Sequence, residues 1–265
     1  MRRGTAFVYG DQLSRHVLAE SHPLRPERLR YAFELLDAYG AFDDGDSLLV
    51  EPRAATAEEV MWYHTPEYVQ AVRALGDGDR SVNQADHNFG PGDNPAYEGI
   101  FDASALSTGA ALVAVEMLVA GQVDAAFSIS GGLHHAMPNY AYGFCVFNDP
   151  VIAIKRLVAA GMKVAYVDID CHHGDGVQHA FYDTSQVLTI SLHESGDFLF
   201  PGTGFTQETG AGLGRGHAVN LPLFPNTTDE VYLWAFREVV PRLLDAFRPD
   251  VLVTQLGIDT HYRDP

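Results

Sequence analysis

Four short apolar runs, residues 125–130, 164–170, 187–193 and 251–257, are separated by segments of helical patterning, and this alternation confines the chain to an α/β fold on parallel strands. Runs rich in Val, Ile, Leu and Ala read as strands buried on both faces, so helices must cover the sheet above and below. Three helical segments have clear boundaries. Residues 26–39 end before Gly40, residues 98–120 are Ala-rich and close at Gly121, and residues 150–160 follow Asp149 as a cap and stop at Gly161. Thr227 and Glu230 read as a capping box before VYLWAFREVV, and Pro241 is expected to kink or divide the helix that follows. Residues 76–97 and 194–217 are polar or Gly-rich and read as surface loops; the length of the first points to function. The βα pattern resumes after each. The expectation is one domain over residues 1–265 with a mostly parallel β-sheet and helices on both faces.

Charge narrows the partners. With 17 Lys plus Arg against 35 Asp plus Glu, the net charge of -18 repels phosphate backbones and anionic lipid and favours cationic ligands. No direct nucleic-acid binding and no membrane docking are expected. The first ten residues, MRRGTAFVYG, lack the apolar region of a secretion signal, and no stretch reads as long enough to cross a bilayer. Cys145 and Cys171 are the only cysteines, too few for a disulfide framework. Together these features suit a cytoplasmic protein.

The chemistry concentrates in VAYVDIDCHHGDGVQHAF, residues 164–181, where an apolar strand runs into Asp168, Asp170, His172, His173 and Asp175. In open α/β sheets ligands bind beyond the carboxyl ends of the strands. Residues two apart on an extended chain point the same way, so Asp170 and His172 can offer an oxygen and a nitrogen to one metal ion. A solvated acidic turn before a helix is the plainer reading, and it suffices for Asp175 alone. It fails for the cluster, because carboxylates packed on an apolar strand repel one another without a compensating cation. A second concentration, residues 128–149, leads through Gly131 and Gly132 to His134 and His135, which could share proton transfer if they converge with the Asp cluster. Asp259 follows the last apolar run. It is a turn former by default, or a third ligand that leaves one coordination position open, as in catalytic zinc sites.

These residues together resemble the zinc-dependent histone deacetylase family, which has the arginase/deacetylase α/β fold and includes bacterial acetoin-utilisation deacetylases. The likeness extends over most of the chain. Besides GGLHHA, YGFCVFND and VDIDCHHGDGVQHAF it takes in HPLRPERLR, NPAYEGIF, LFPGTG and QLGID, in family order. The wording of HPLRPERLR and GGLHHA is closer to class I and acetoin-utilisation members than to the polyamine branch. The resemblance implies removal of acetyl groups from acetyl-lysine in proteins or from small acetylated amines. It makes Asp170, His172 and Asp259 ligands of zinc (Zn2+), with iron(II) (Fe2+) as the other candidate, and His134 and His135 the catalytic proton-transfer pair, backed by Asp168 and Asp175 respectively. Gly143, Phe144 and Phe200 would wall a tube for the acyl-lysine stem, Asp93 would hold the substrate backbone at the rim, and Arg28 would line an acetate channel. A structural potassium or sodium ion (K+ or Na+) is implied at Asp168, Asp170, His172, Ser191 and Leu192, and a second at Phe181, Thr184 and Val187.

One departure from the family is expected to matter. The family's oxyanion-binding tyrosine lies in a Gly-rich loop beyond the last Asp ligand, and this sequence ends at Pro265. The chain therefore reads as lacking its C-terminal part, and losing one oxyanion donor typically costs on the order of 100-fold to 1,000-fold in turnover. Two alternatives stay open: an arginase-like ureohydrolase with two manganese ions, and a truncated acyl-lysine binding protein of low activity.

Overall fold

The computed structural model describes residues 4–16, 18, 22–43 and 45–264. Packing divides the chain into two compact units, one up to Arg156 and one from Leu157. In the first, β1 (Thr5–Val8) lies between β2 (Ser47–Val50) and β3 (Ala125–Ser128) in a parallel sheet with Thr5 opposite both Ser47 and Ala125. Its helices are α1 (Glu27–Ala38), α2 (Ala57–Val60), α3 (Pro66–Gly76) and α4 (Ile100–Val119), followed by α5 (Asp149–Ala159). Thr56 and Glu59 close a reciprocal capping box on α2, and the Thr65 hydroxyl caps α3 ahead of Pro66. Tyr68, Val72, Ile100, Leu112, Phe147 and Ile152 form the centre of this unit's core.

The second unit places β4 (Val164–Asp168) between β5 (Val187–Glu194) and β7 (Val251–Gln255), with β6 (Ala218–Leu223) beyond β5, all parallel. The helices are α6 (Asp175–Phe181) and α7 (Asp229–Phe247). Every residue of β4 is buried, as a central strand covered on both faces requires. α7 contributes Val240, Phe247 and Leu244 to a core shared with Ala165, Leu188, Ile190 and Leu192.

The fold is α/β with parallel sheets, as the alternation predicts, and all strand pairs among the described residues are parallel. Three local expectations are corrected. α7 is not divided at Pro241: it is one helix through this residue, which lies on the exposed side where water can serve the carbonyl left without a donor. The Thr227–Glu230 capping box does not form: Thr228 occupies the cap position without a side-chain bond, and the Thr227 hydroxyl donates to the Phe224 carbonyl at 2.7 Å. The Asp149 carboxylate binds the main chain of Gly132 and Leu133 and so ties down a distant loop. A fourth correction concerns length: α4 is long and apolar enough to cross a membrane by composition, and most of it is buried in the first unit as a core helix.

Candidate metal centre

β4 ends at Asp168, opposite Ser191 on β5 and Gln255 on β7, and the chain then bends so that Asp170 and His172 meet Asp259 from beyond β7. His172 Nδ1 lies 3.0 Å from Asp170 Oδ1 and 2.8 Å from Asp259 Oδ2. Main-chain and amide donors hold the carboxylates in place. Gln255 Nε2 donates to Asp170 Oδ2 at 2.9 Å, Cys171 N–H to Asp259 Oδ1 at 3.0 Å, and His172 N–H to Asp170 Oδ1 at 2.9 Å. One layer further in, Asp168 receives the Asp170 N–H at 3.1 Å and the Tyr166 hydroxyl at 2.7 Å. Gly257 passes so close that a Cβ there would overlap the Asp170 carboxylate.

The electrostatics test whether this set fits a cation. Burial by itself lowers the His172 pKa, but the carboxylates of Asp170 and Asp259 outweigh it and push the imidazole up to about 12. Two carboxylates this close to one imidazole favour positive charge where the three side chains meet, carried by a protonated His172 or by a bound cation. An oxygen, a nitrogen and an oxygen, all within 4.8 Å of one another, make a donor set that fits a divalent ion such as zinc or iron(II). Cys171 belongs to the same group, its thiol raised to about 11 chiefly by burial.

Around this centre the second unit brings in Phe200, whose ring is 6.1 Å from that of His172 at a steep angle. The loop carrying Phe200 is anchored by His173, already part of the Asp/His cluster, and by His193 and Glu208, for which the sequence offers no motif. His193 Nε2 meets the Gly204 carbonyl at 2.9 Å, His173 Nδ1 meets Thr203 Oγ1 at 2.8 Å, and Glu208 Oε1 accepts the Gly204 and Phe205 N–H groups, each at 3.0 Å. Glu208 is held in turn by Gln178 Nε2 at 2.7 Å. A Cβ on Gly204, at φ 84°, would strike the rings of both His193 and His173. The Gly-rich composition of residues 194–217 was the available signal. Asp175 opens α6 and is buried, and its N–H donates to the His173 carbonyl at 2.8 Å. Ser191 and Leu192 sit on β5, while Thr184 donates its N–H to the Phe181 carbonyl in the loop that leads to Val187.

In the first unit His134 and His135 are both buried, with ring centroids 4.0 Å apart. Gly143 and Phe144 form a tight turn at φ 50° and 69°, with Tyr142 and Cys145 exchanging N–H groups and carbonyls on either side. The Phe144 N–H donates to Asn94 Oδ1 at 3.1 Å, so the long loop of residues 76–97 reaches this turn. His22 completes the group. Its Nδ1 accepts the Leu24 N–H at 3.0 Å, leaving Nε2 to donate to the Asp93 carbonyl at 3.2 Å, and its ring meets Phe144 edge-on at 4.7 Å. Arg28 lines a cavity of about 90 Å³ with Ser107, Ser130, Leu133 and Phe144.

Comparison with known proteins adds an independent line. A sequence model of the histone deacetylase domain matches residues 22–265. The acetoin utilization protein AcuC of Bacillus subtilis is 39% identical over 265 residues, covering 99% of this chain and 68% of its own length. AcuC of Staphylococcus xylosus is 36% identical, covering 100% and 69%. The crystal structure of an HDAC homolog from Aquifex aeolicus shares 34% identity and a TM-score of 0.90, covering 98% of this chain and 70% of that one. An HDAC homolog complexed with SAHA matches with a TM-score of 0.89 at 34% identity.

Proposed function

The chain belongs to the histone deacetylase family, and on that premise we propose that it is a metal-dependent amidohydrolase removing acetyl groups from acetyl-lysine in proteins or from small acetylated amines. The observation that carries the proposal is the convergence of the Asp170 and Asp259 carboxylates on His172 Nδ1. These three residues would hold one zinc ion, or iron(II) in its place. When bound, the ion supplies Lewis acidity toward an amide carbonyl and toward water.

Proton transfer is assigned to the protein's own groups. His134 and His135 take a proton from the attacking water and return one to the departing amine, and Asp168 and Asp175 supply the supporting carboxylates. Gly143, Phe144 and Phe200 would flank an apolar acyl-lysine stem, and the partnership of His22 with the Asp93 main chain supports a rim at that position. Arg28 would meet departing acetate in its cavity. Potassium or sodium is assigned to Asp168, Asp170, His172, Ser191 and Leu192, and to Phe181, Thr184 and Val187, as structural support. A cytoplasmic location belongs to the same reading. SAHA, the ligand of one solved relative, is expected to bind here as a competitor of acetyl-lysine.

The test is acetate release from an acetyl-lysine peptide by the zinc-loaded chain. Wild type should hydrolyse it, and His135→Ala should retain its zinc while turnover falls by at least about 100-fold, the range expected for a lost general base. Undiminished hydrolysis by His135→Ala would refute the assignment.

A further inference from the structure

We propose that Asn148 and Asp149 are positioning residues for His134 and His135, a two-residue clamp that fixes the main chain of residues 132–136 on both sides of the imidazole pair. The proposal rests on the assignment of proton transfer to that pair. Both residues are buried at the start of α5. Asp149 Oδ2 accepts the Gly132 N–H at 3.1 Å and Oδ1 accepts the Leu133 N–H at 2.9 Å. From the other side, Asn148 Nδ2 donates to the His134 carbonyl at 3.1 Å and to the Ala136 carbonyl at 3.0 Å.

The division of labour within the pair argues against simple helix capping. Asn148 Oδ1 accepts the Val151 N–H at 3.1 Å and so serves α5, leaving its amide nitrogen for the loop. The Asn148 main-chain N–H donates to His64 Nε2 at 2.9 Å, which anchors the clamp itself in the core. The Asp149 carboxylate reaches away from α5 to the loop. The loop needs such restraint, because it begins with Gly131 and Gly132, and Gly132 sits at φ 92° in a region where glycine alone moves freely. At Gly131 a Cβ would fall 2.5 Å from Asp149 Oδ2, so the close approach requires glycine there. Acid and base groups are effective only when held within hydrogen-bonding reach of the reacting atoms, and small displacements are costly. A loop with two adjacent glycines and two buried imidazoles gains that precision from the four bonds above.

The test compares wild type, Asp149→Asn and Asn148→Ser as zinc-loaded full chains. Asp149→Asn keeps the volume and turns one acceptor into a donor facing an N–H; Asn148→Ser keeps an α5 cap and drops both carbonyl contacts. Each variant should lower kcat by at least about tenfold and leave KM within about twofold, as loss of one buried hydrogen-bond partner predicts. Zinc stoichiometry should match wild type. Hydrogen exchange should accelerate at the amides of residues 132–136 and stay unchanged in β1 and β3. Unchanged kcat with faster local exchange would overturn the proposal, as would parallel loss of kcat, zinc and global protection, which marks a merely structural role. His135→Ala separates the two readings: if it hydrolyses normally, the catalytic assignment fails, whereas a dead His135→Ala beside a normal Asp149→Asn refutes the clamp alone. Should Asp149→Asn not fold, Asn148→Ser gives the same readouts.

Discussion

His64 shows how strongly single side chains in this protein are governed by their surroundings. Buried among Tyr63, Tyr68 and Phe147, it is held neutral by desolvation, its pKa lowered from 6.5 to about 3. The unfolded chain takes up a proton at this site below pH 6.5 while the native chain does not, so stability must fall as pH drops from about 6.5 toward 3. His64→Gln should cost about 1–3 kcal/mol at pH 7 and flatten that acid dependence, measured as urea midpoints at pH 7 and pH 4. An unchanged pH slope would contradict the assignment. At this scale Asp170 and His172 stood out because they follow an apolar strand two residues apart, although β4 ends at Asp168 and a bend, not extended chain, brings them together. Asp259 lies far away in sequence, so its approach to His172 had to come from the fold. Asp149 was misread because a carboxylate before proline looks the same whether it serves its own helix or a loop.

Among the elements, the four apolar runs declared themselves as strands, though β3 and β7 are not buried on both faces as expected, and β1 and β2 did not declare themselves. Leu48 and Leu49 of β2 are both half-exposed, so its sequence carries neither alternation nor a buried run. The Gly143–Phe144 turn was named for its side chains, while its backbone was invisible: nothing in the sequence reveals that Phe144 adopts φ 69°. A left-handed conformation costs a non-glycine residue on the order of 1 kcal/mol, which supports a role for this ring at its position. Phe144→Gly should therefore hold or raise the melting temperature while KM for an acetyl-lysine peptide rises by about tenfold, the effect of losing one apolar wall. An unchanged KM would remove Phe144 from the substrate path.

For the whole molecule, a net charge of -18 creates a field that reaches beyond any single contact. If acetylated segments rich in Lys or Arg are the substrates, their kcat/KM should fall as ionic strength rises from about 0.05 to 0.5 M, because the Debye length shrinks through this range. An uncharged acetyl-lysine peptide should respond little; equal salt slopes for both would exclude steering by the field. The expectations about turnover presuppose that Asp170, His172 and Asp259 hold one divalent cation. Equilibrium dialysis with zinc, followed by elemental analysis, tests this directly on wild type, Asp170→Ala and Asp259→Ala. The account predicts one zinc ion per wild-type chain and loss of that ion from both variants. A wild-type chain that binds none, or variants that retain it as tightly as wild type, would contradict it.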